Sequence, residues 1–327
     1  MSKISKLLID TDVGVDDARA IVTALRTESV QVVAITTVFG NVPVRQATAN
    51  AARLLKLCGK TSIPVHEGAS GPLIPTREPQ TYSLDVHGQD GLGDCADLQP
   101  IPDPSDFQIA AKNAHAALAL IEYSKLYEGD LSLILIGPLT NMATALKIDP
   151  NVGTRFKQIC IMGGNIYGMG NKKGTSTEAN FCHDPEAAYI VCEQIRDTPI
   201  TIVPWDVCVQ AGPLHNQILE FDYHAHLLTD SRLGHFLNRI SLKIREFCAQ
   251  FGQSLTFVDD IAVCSVIDPT ILKSTVRVRP WIELTGTRTR GQVAIDWTHN
   301  RDIGNIRFVT AFDIHKLEQI VIKAIGD

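Results

Sequence analysis

The sequence lacks four features that would each point to a class. Its 8 cysteines contain no Cys-x-x-Cys pair, so neither a zinc ribbon nor a dithiol redox motif is encoded. It has no surplus of positive charge: 30 Lys and Arg stand against 36 Asp and Glu, a formal net charge of −6. That leaves no electrostatic footprint for nucleic acid or an anionic membrane. No apolar stretch is long enough to span a bilayer as a helix. Lys3 and Lys6 precede an apolar stretch, but Leu7 to Ile9 runs straight into Asp10, too short and too acidic for the core of an export signal. A cytoplasmic protein with dispersed, reduced cysteines is therefore expected.

What the sequence does have is 327 residues, 45% of them hydrophobic, and a regular alternation of elements through the first two thirds. Runs rich in Val, Ile and Leu at Leu7–Ile9, Gln31–Val38, Ser62–Val65, Leu131–Ile136, Gln158–Met162 and Ile200–Val203 read as buried strands. Between them Val44–Leu57, Ile109–Tyr123, Thr140–Ile148 and Pro185–Gln194 carry helical patterns. Strand–helix alternation predicts right-handed βαβ units and a mainly parallel, doubly wound, Rossmann-like central sheet flanked by helices, an α/β fold. The C-terminal third adds a small helical and β segment. Leu214–Gln253 reads as helical, Val276–Leu284, Gln292–Asp296 and Asn305–Val309 as late strands, and Asp313–Ile325 as a closing helix. Glu67–Pro104 is rich in Gly, Pro and Asp and reads as a long loop, a length usually reserved for function. No linker or repeat divides residues 1–327, so a single domain is expected.

The most informative stretch is Leu7-Leu8-Ile9-Asp10-Thr11-Asp12-Val13-Gly14-Val15-Asp16-Asp17-Ala18. Four carboxylates crowd the end of an apolar strand and the start of a helix. Aspartates at a helix start often serve as caps, and one of them alone would need no other explanation. Four around a glycine exceed what capping needs. Like charges that close repel and favour protonation; a hard divalent cation resolves the conflict, and oxygen-only ligands favour calcium or magnesium over zinc.

The other strands end in turns of the same character: Phe39-Gly40-Asn41, Gly137-Pro138-Leu139-Thr140-Asn141, Gly163-Gly164-Asn165 and Pro204-Trp205-Asp206. Each is ordinary turn chemistry by itself. A parallel sheet gathers them all on one edge, where ligands bind. Val258-Asp259-Asp260 precedes an apolar run, and either aspartate can be a helix cap or complete an oxygen shell begun by Asp12 and Asp17.

Asp10 to Ala18 resembles the signature of the inosine–uridine-type nucleoside hydrolases, with Val13 in place of the usual proline. The resemblance runs along nearly the whole chain, through Thr36-Thr37-Val38-Phe39-Gly40-Asn41, Val86-His87-Gly88, Gly137–Asn141, Met162-Gly163-Gly164, Glu178-Ala179-Asn180, Asp184–Ala188 and Val266–Pro269, all in family order. It implies calcium-dependent hydrolysis of the N-glycosidic bond of ribonucleosides by a homodimer or homotetramer. By the resemblance, Asp12, Asp17, Asp259 and the main-chain carbonyl of Ile136 bind calcium. Asp16, Asn41, Glu178 and Asn180 hold the ribose hydroxyls, and Met162 lines the sugar pocket. Asn171 joins them on a looser match, because the stretch before Glu178 is one residue longer than usual. Asp12 is the candidate base that takes a proton from water.

One departure matters. Many members place a histidine just before the last calcium aspartate, where it protonates the departing base; here that position is Val258. His87, Trp205, Asp260 or a residue of Leu214–Gln253 are the candidates to help the base leave, with His87 the catalytic candidate carried forward. Two other readings stay open. One is a ribose or nucleoside binder that kept the metal site and lost leaving-group activation. The other is a magnesium-dependent phosphatase of the haloacid-dehalogenase type, which also opens on a strand and Asp-x-Asp.

Overall fold

The computed structural model describes residues 4–75, 82–101, 103, 105, 114–209, 224–251, 254–299 and 304–326. The chain opens with β1 (Ser5–Thr11), α1 (Val15–Arg26), β2 (Val30–Thr37), α2 (Val44–Leu57) and β3 (Val65–Glu67). A short α3 (Leu84–His87) interrupts the long loop before α4 (Ala116–Leu126), β4 (Leu131–Leu135), α5 (Thr140–Ile148) and β5 (Gln158–Met162). Then come α6 (Ala179–His183), α7 (Pro185–Gln194), β6 (Ile200–Val203), α8 (Trp205–Cys208), α9 (Arg232–Ile240), α10 (Leu242–Gln250) and α11 (Asp259–Ile267). The chain closes with β7 (Leu272–Arg277), β8 (Trp281–Ile282), β9 (Val293–Ala294), β10 (Ile306–Phe312) and α12 (Ile314–Ile325).

The main sheet has 8 strands in the order β3-β2-β1-β4-β5-β6-β10-β7. All its pairings are parallel except that of β7 with β10. The mainly parallel α/β expectation is met. The first six strands follow the doubly wound order, whose direction of winding reverses between β1 and β4; ligands bind above that crevice at the carboxyl ends of the strands. The central strands are apolar on both faces because helices cover both sides. Successive side chains alternate between the two layers. Leu7 and Ile9 join the core shared with α1, α2, α11 and α12. Leu8 joins the opposite core, built with α4, α5 and α7.

The boundaries differ from expectation where backbone chemistry decides. The run expected as one strand over Val276–Leu284 breaks into β7 and β8, with Pro280 between them offering no N–H to a ladder. The small sheet of β8 and β9 is antiparallel. The strand expected at 62–65 lies at Val65–Glu67. Of the helical run expected over 109–123, residues 109–113 lie outside the described residues, as do 214–223 and 252–253 of the later helical region. Among the described residues no helix is long and apolar enough to cross a membrane.

Beneath the crevice a buried polar lock ties four segments together. The Asn141 side chain donates to Asp10 Oδ1 at 2.8 Å and to the Thr37 carbonyl at 2.9 Å. It accepts from the Ala69 N–H at 2.9 Å. Thr36 also donates to Asp10. Burial pushes the Asp10 carboxyl up to about 7, against those donors. Replacing Asn141 by Ala leaves buried partners unpaired and is expected to cost about 2–4 kcal/mol, read as a lower midpoint in urea unfolding; an unchanged midpoint would show the lock to be dispensable.

Candidate active site

The acidic turn sits where the topology puts it, between the end of β1 and the first turn of α1. One carboxylate oxygen each from Asp16, Asp17 and Asp259 lies within 4.8 Å of the others. Asp16 and Asp17 come from the first turn of α1; Asp259 opens α11, which packs along α1. Asp12 adjoins them, near enough that its charge and that of Asp17 oppose each other. Asp17 is held by the Thr11 hydroxyl, by the Gly14 N–H at 2.8 Å and by the Asn41 side-chain amide at 3.0 Å. Asp12 Oδ2 accepts the Asn41 N–H at 2.6 Å.

The backbone allows this crowding at two points. A Cβ on Gly40 would sit 2.0 Å from Asp12 Oδ2, so that strand end can hold only glycine without moving the carboxylate. A Cβ on Gly14 would press on both Asn41 Nδ2 and His87 Nδ1 at 2.7 Å. Val13, immediately before Gly14, takes φ 20°, a value closed to proline.

The electrostatics follow from burial. Asp12, Asp17 and Asp259 are almost wholly removed from water. Burial pushes Asp12 well up, and Asp17 beside it adds to the shift. Burial, then Asp16, takes Asp17 to about 7. Asp259 rises well above the usual carboxylate range by burial and then by Asp17, Asp16 and Asp12. Asp12 Oδ1 and Asp16 Oδ1 are buried with no hydrogen-bond partner. Orphaned carboxylate oxygens in a repelling cluster are a donor set that fits a hard cation.

Above the cluster opens a cavity of about 490 Å³. Every remaining residue expected at the site lines it: Asn41, His87, Ile136, Met162, Asn171, Glu178 and Asn180. Glu178 is also the cap of α6, its two oxygens accepting N–H groups of Gly164, Asn180 and Phe181 at 2.8, 2.8 and 3.1 Å. Burial nevertheless raises it to about 7. Three bonds leave a carboxylate one accepting direction. The Asn180 amide donates to the Met162 carbonyl at 3.1 Å and approaches that of Ile136 at 3.4 Å. His87 Nδ1 accepts the Val15 N–H at 3.2 Å, so the neutral ring carries its hydrogen on Nε2. Burial lowers its pKa, with Asp16 opposing, which favours the neutral form.

Val258 and the half-buried Trp205 line the cavity as well. Of the two neighbouring aspartates, Asp259 joins the cluster and Asp260 turns away to Arg19 at 2.6 Å. Arg19 was missed by sequence reasoning. Its only local signal is its place three residues after Asp16, on the same helix face. The apolar wall of Ile244, Phe247 and Leu255 was not singled out either.

The family model for inosine-uridine preferring nucleoside hydrolases matches residues 7–319. The chain is 31% identical to the inosine-uridine preferring nucleoside hydrolase of Crithidia fasciculata, across 98% of both chains. It is 37% identical to uridine nucleosidase 1 of Arabidopsis thaliana over a stretch that takes in 70% of this chain and 66% of the plant protein. Among solved structures, a plant nucleoside hydrolase superposes with a TM-score of 0.84 at 27% identity over 99% of each chain. An inosine-guanosine nucleoside hydrolase gives 0.83 at 29% over 98% of each. The chain belongs to the inosine-uridine preferring nucleoside hydrolase family, whose members cleave the N-ribosyl bond.

Two outcomes are expected from this geometry. Gly40→Ala displaces Asp12 and weakens cation binding by at least about tenfold, measured by calorimetric titration with calcium, while the circular dichroism spectrum stays that of the wild type. The second concerns pH. Asp10, Asp17 and Glu178 rise to about 7 in the fold, above the roughly 4 of an unfolded chain. The fold therefore binds more protons than the unfolded chain, so metal-free stability is greatest in mild acid and falls as pH rises through about 7. Urea midpoints of the chelated protein should fall across that window, and saturating calcium should reduce the fall; a rise would refute the assignment.

Proposed function

We propose that this chain hydrolyses the N-glycosidic bond of ribonucleosides in a calcium-dependent reaction, releasing ribose and free base. The observation that carries the proposal is the cluster of Asp16, Asp17 and Asp259, with Asp12 beside it, whose Asp16 and Asp259 line a nucleoside-sized cavity, in a chain of this family. Asp12, Asp17, Asp259 and the Ile136 carbonyl would hold the cation. When bound, it neutralises the carboxylates and makes water a better proton donor.

The residues divide the remaining work. Asp12, its basicity raised by burial and by Asp17, takes the proton from the attacking water. Asp16, Asn41, Asn171, Glu178 and Asn180 hold the ribose hydroxyls, and Met162 lines the sugar pocket. The sugar passes through an oxocarbenium-like state, and the surrounding carboxylates stabilise its positive charge. His87 serves as a hydrogen-bond donor through Nε2 rather than as a strong acid, because burial keeps its ring neutral. Resemblance to the family also supports a homo-oligomer acting on small ribonucleosides, and the dispersed cysteines suit the cytoplasm.

Val258 favours a second reading. An aliphatic side chain gives no proton to the base, so the chain can instead be a nucleoside binder that retains the metal site. Reducing-sugar assays on inosine, adenosine, guanosine, uridine and cytidine, with calcium or chelator, separate the two. Calcium-dependent ribose release is expected. Asp12→Ala should lower kcat/KM by about 10²- to 10⁴-fold, and 2′-deoxyuridine should be rejected by roughly 10⁴-fold relative to uridine. Nucleoside binding seen by calorimetry without ribose release would establish the binder.

A further inference from the structure

The chain carries a buried cation at the end of the cavity where the usual proton donor is missing. Arg19 is only 3% exposed and lines the cavity beside Val258, Thr256 and Trp205. It stands one helical turn from Asp16, an offset of about 5 Å along α1. That offset suits one helix face that meets the sugar through Asp16 and the base through Arg19.

Its guanidinium is fixed from behind. Nε donates to Asp260 Oδ1 at 2.9 Å and Nη2 to Asp260 Oδ2 at 2.6 Å, a two-pronged pair. Nη2 also donates to the Thr256 carbonyl at 3.1 Å. Nη1 meets His226 Nε2 at 3.3 Å. An arginine can only donate, so that histidine nitrogen accepts. Burial and then Arg19 hold the His226 ring neutral, its pKa lowered to about 2. The Phe257 ring lies 5.0 Å from the guanidinium carbon. An arginine has five N–H donors; those contacts use four, and the fifth, on Nη1, has no partner among the described residues. Asp260 balances the charge without touching the cavity, since Asp260 is not among the lining residues.

We infer that Arg19 is a catalytic residue that stabilises the negative charge developing on the departing nucleobase, in place of a proton donor at position 258. This inference rests on the hydrolase reading above. The C1′–N bond breaks with its electron pair on the base nitrogen. The water oxygen bonds to C1′, and its proton goes to Asp12 and on to solvent. The base leaves as its anion, hydrogen-bonded to Arg19, and takes a proton from solvent after release. Arg19 keeps its own proton throughout. Bases that spread the charge onto a ring carbonyl oxygen are the class this donor serves.

The test compares leaving groups. Wild type, R19K, R19M and the charge-balanced double variant R19M/D260N are assayed on uridine, inosine and 4-nitrophenyl riboside, whose leaving group is stable as an anion unaided. R19M and the double variant should lose about 10²- to 10³-fold in kcat/KM on the nucleosides and far less on the nitrophenyl riboside, with R19K between. Ultraviolet spectra of bound uracil give a readout that needs no turnover: absorption should shift toward the longer wavelength of the anion on the wild type and not on R19M/D260N. Equal losses on both substrate types, or an unshifted spectrum on the wild type, would overturn the role of Arg19 and leave the hydrolase reading standing. Failure of the wild type to release ribose from any substrate would overturn both.

Discussion

The rest of the structure is organised around one electrostatic conflict: several carboxylates held together out of water. Asp12, Asp17 and Asp259 are buried at the mouth of the sheet crevice, with Asp16 against them. Burial and mutual repulsion both oppose their charge. Nothing in folding itself requires such a cluster, and it weakens the metal-free fold. Its persistence makes sense as a cost of function, repaid when a cation enters.

The fold supplies what that conflict needs. The doubly wound order brings the ends of β1, β2, β4 and β5 to one edge. Gly40 clears space for the Asp12 carboxylate, and backbone N–H groups of Gly14 and Asn41 grip the aspartates from the side. Helix α11 delivers Asp259 from the far end of the chain. The lock of Asp10, Thr36 and Asn141 beneath keeps the strand ends in register without joining the cluster. The cavity then combines polar side chains with an apolar wall, a mixture that suits a nucleoside.

Much of this was legible in the sequence because the signal is local. An apolar run followed by four aspartates shows a strand, a turn and a charge conflict within twelve residues. The strand–helix alternation shows a parallel sheet, and that sheet places every turn on one edge. What was hidden is long-range. No local pattern draws Arg19 inward; Asp260, 241 positions away, does. Asp259 and Asp260 are indistinguishable as letters; only the packing of α11 on α1 sends one to the cluster and the other to Arg19. The cap role of Glu178 depends on a short helix too brief to show periodicity. The split of β7 from β8 turns on Pro280 alone, which an apolar pattern outweighed.

A cation site that also engages ribose should bind calcium more tightly when the sugar is present. Isothermal titration of calcium into the chelated wild type and into Asp259→Asn, each with and without ribose, tests it most directly. A single-site isotherm that tightens with ribose and is lost in the variant is the expected result. Absence of binding to the wild type, or equal binding to both proteins, would contradict it.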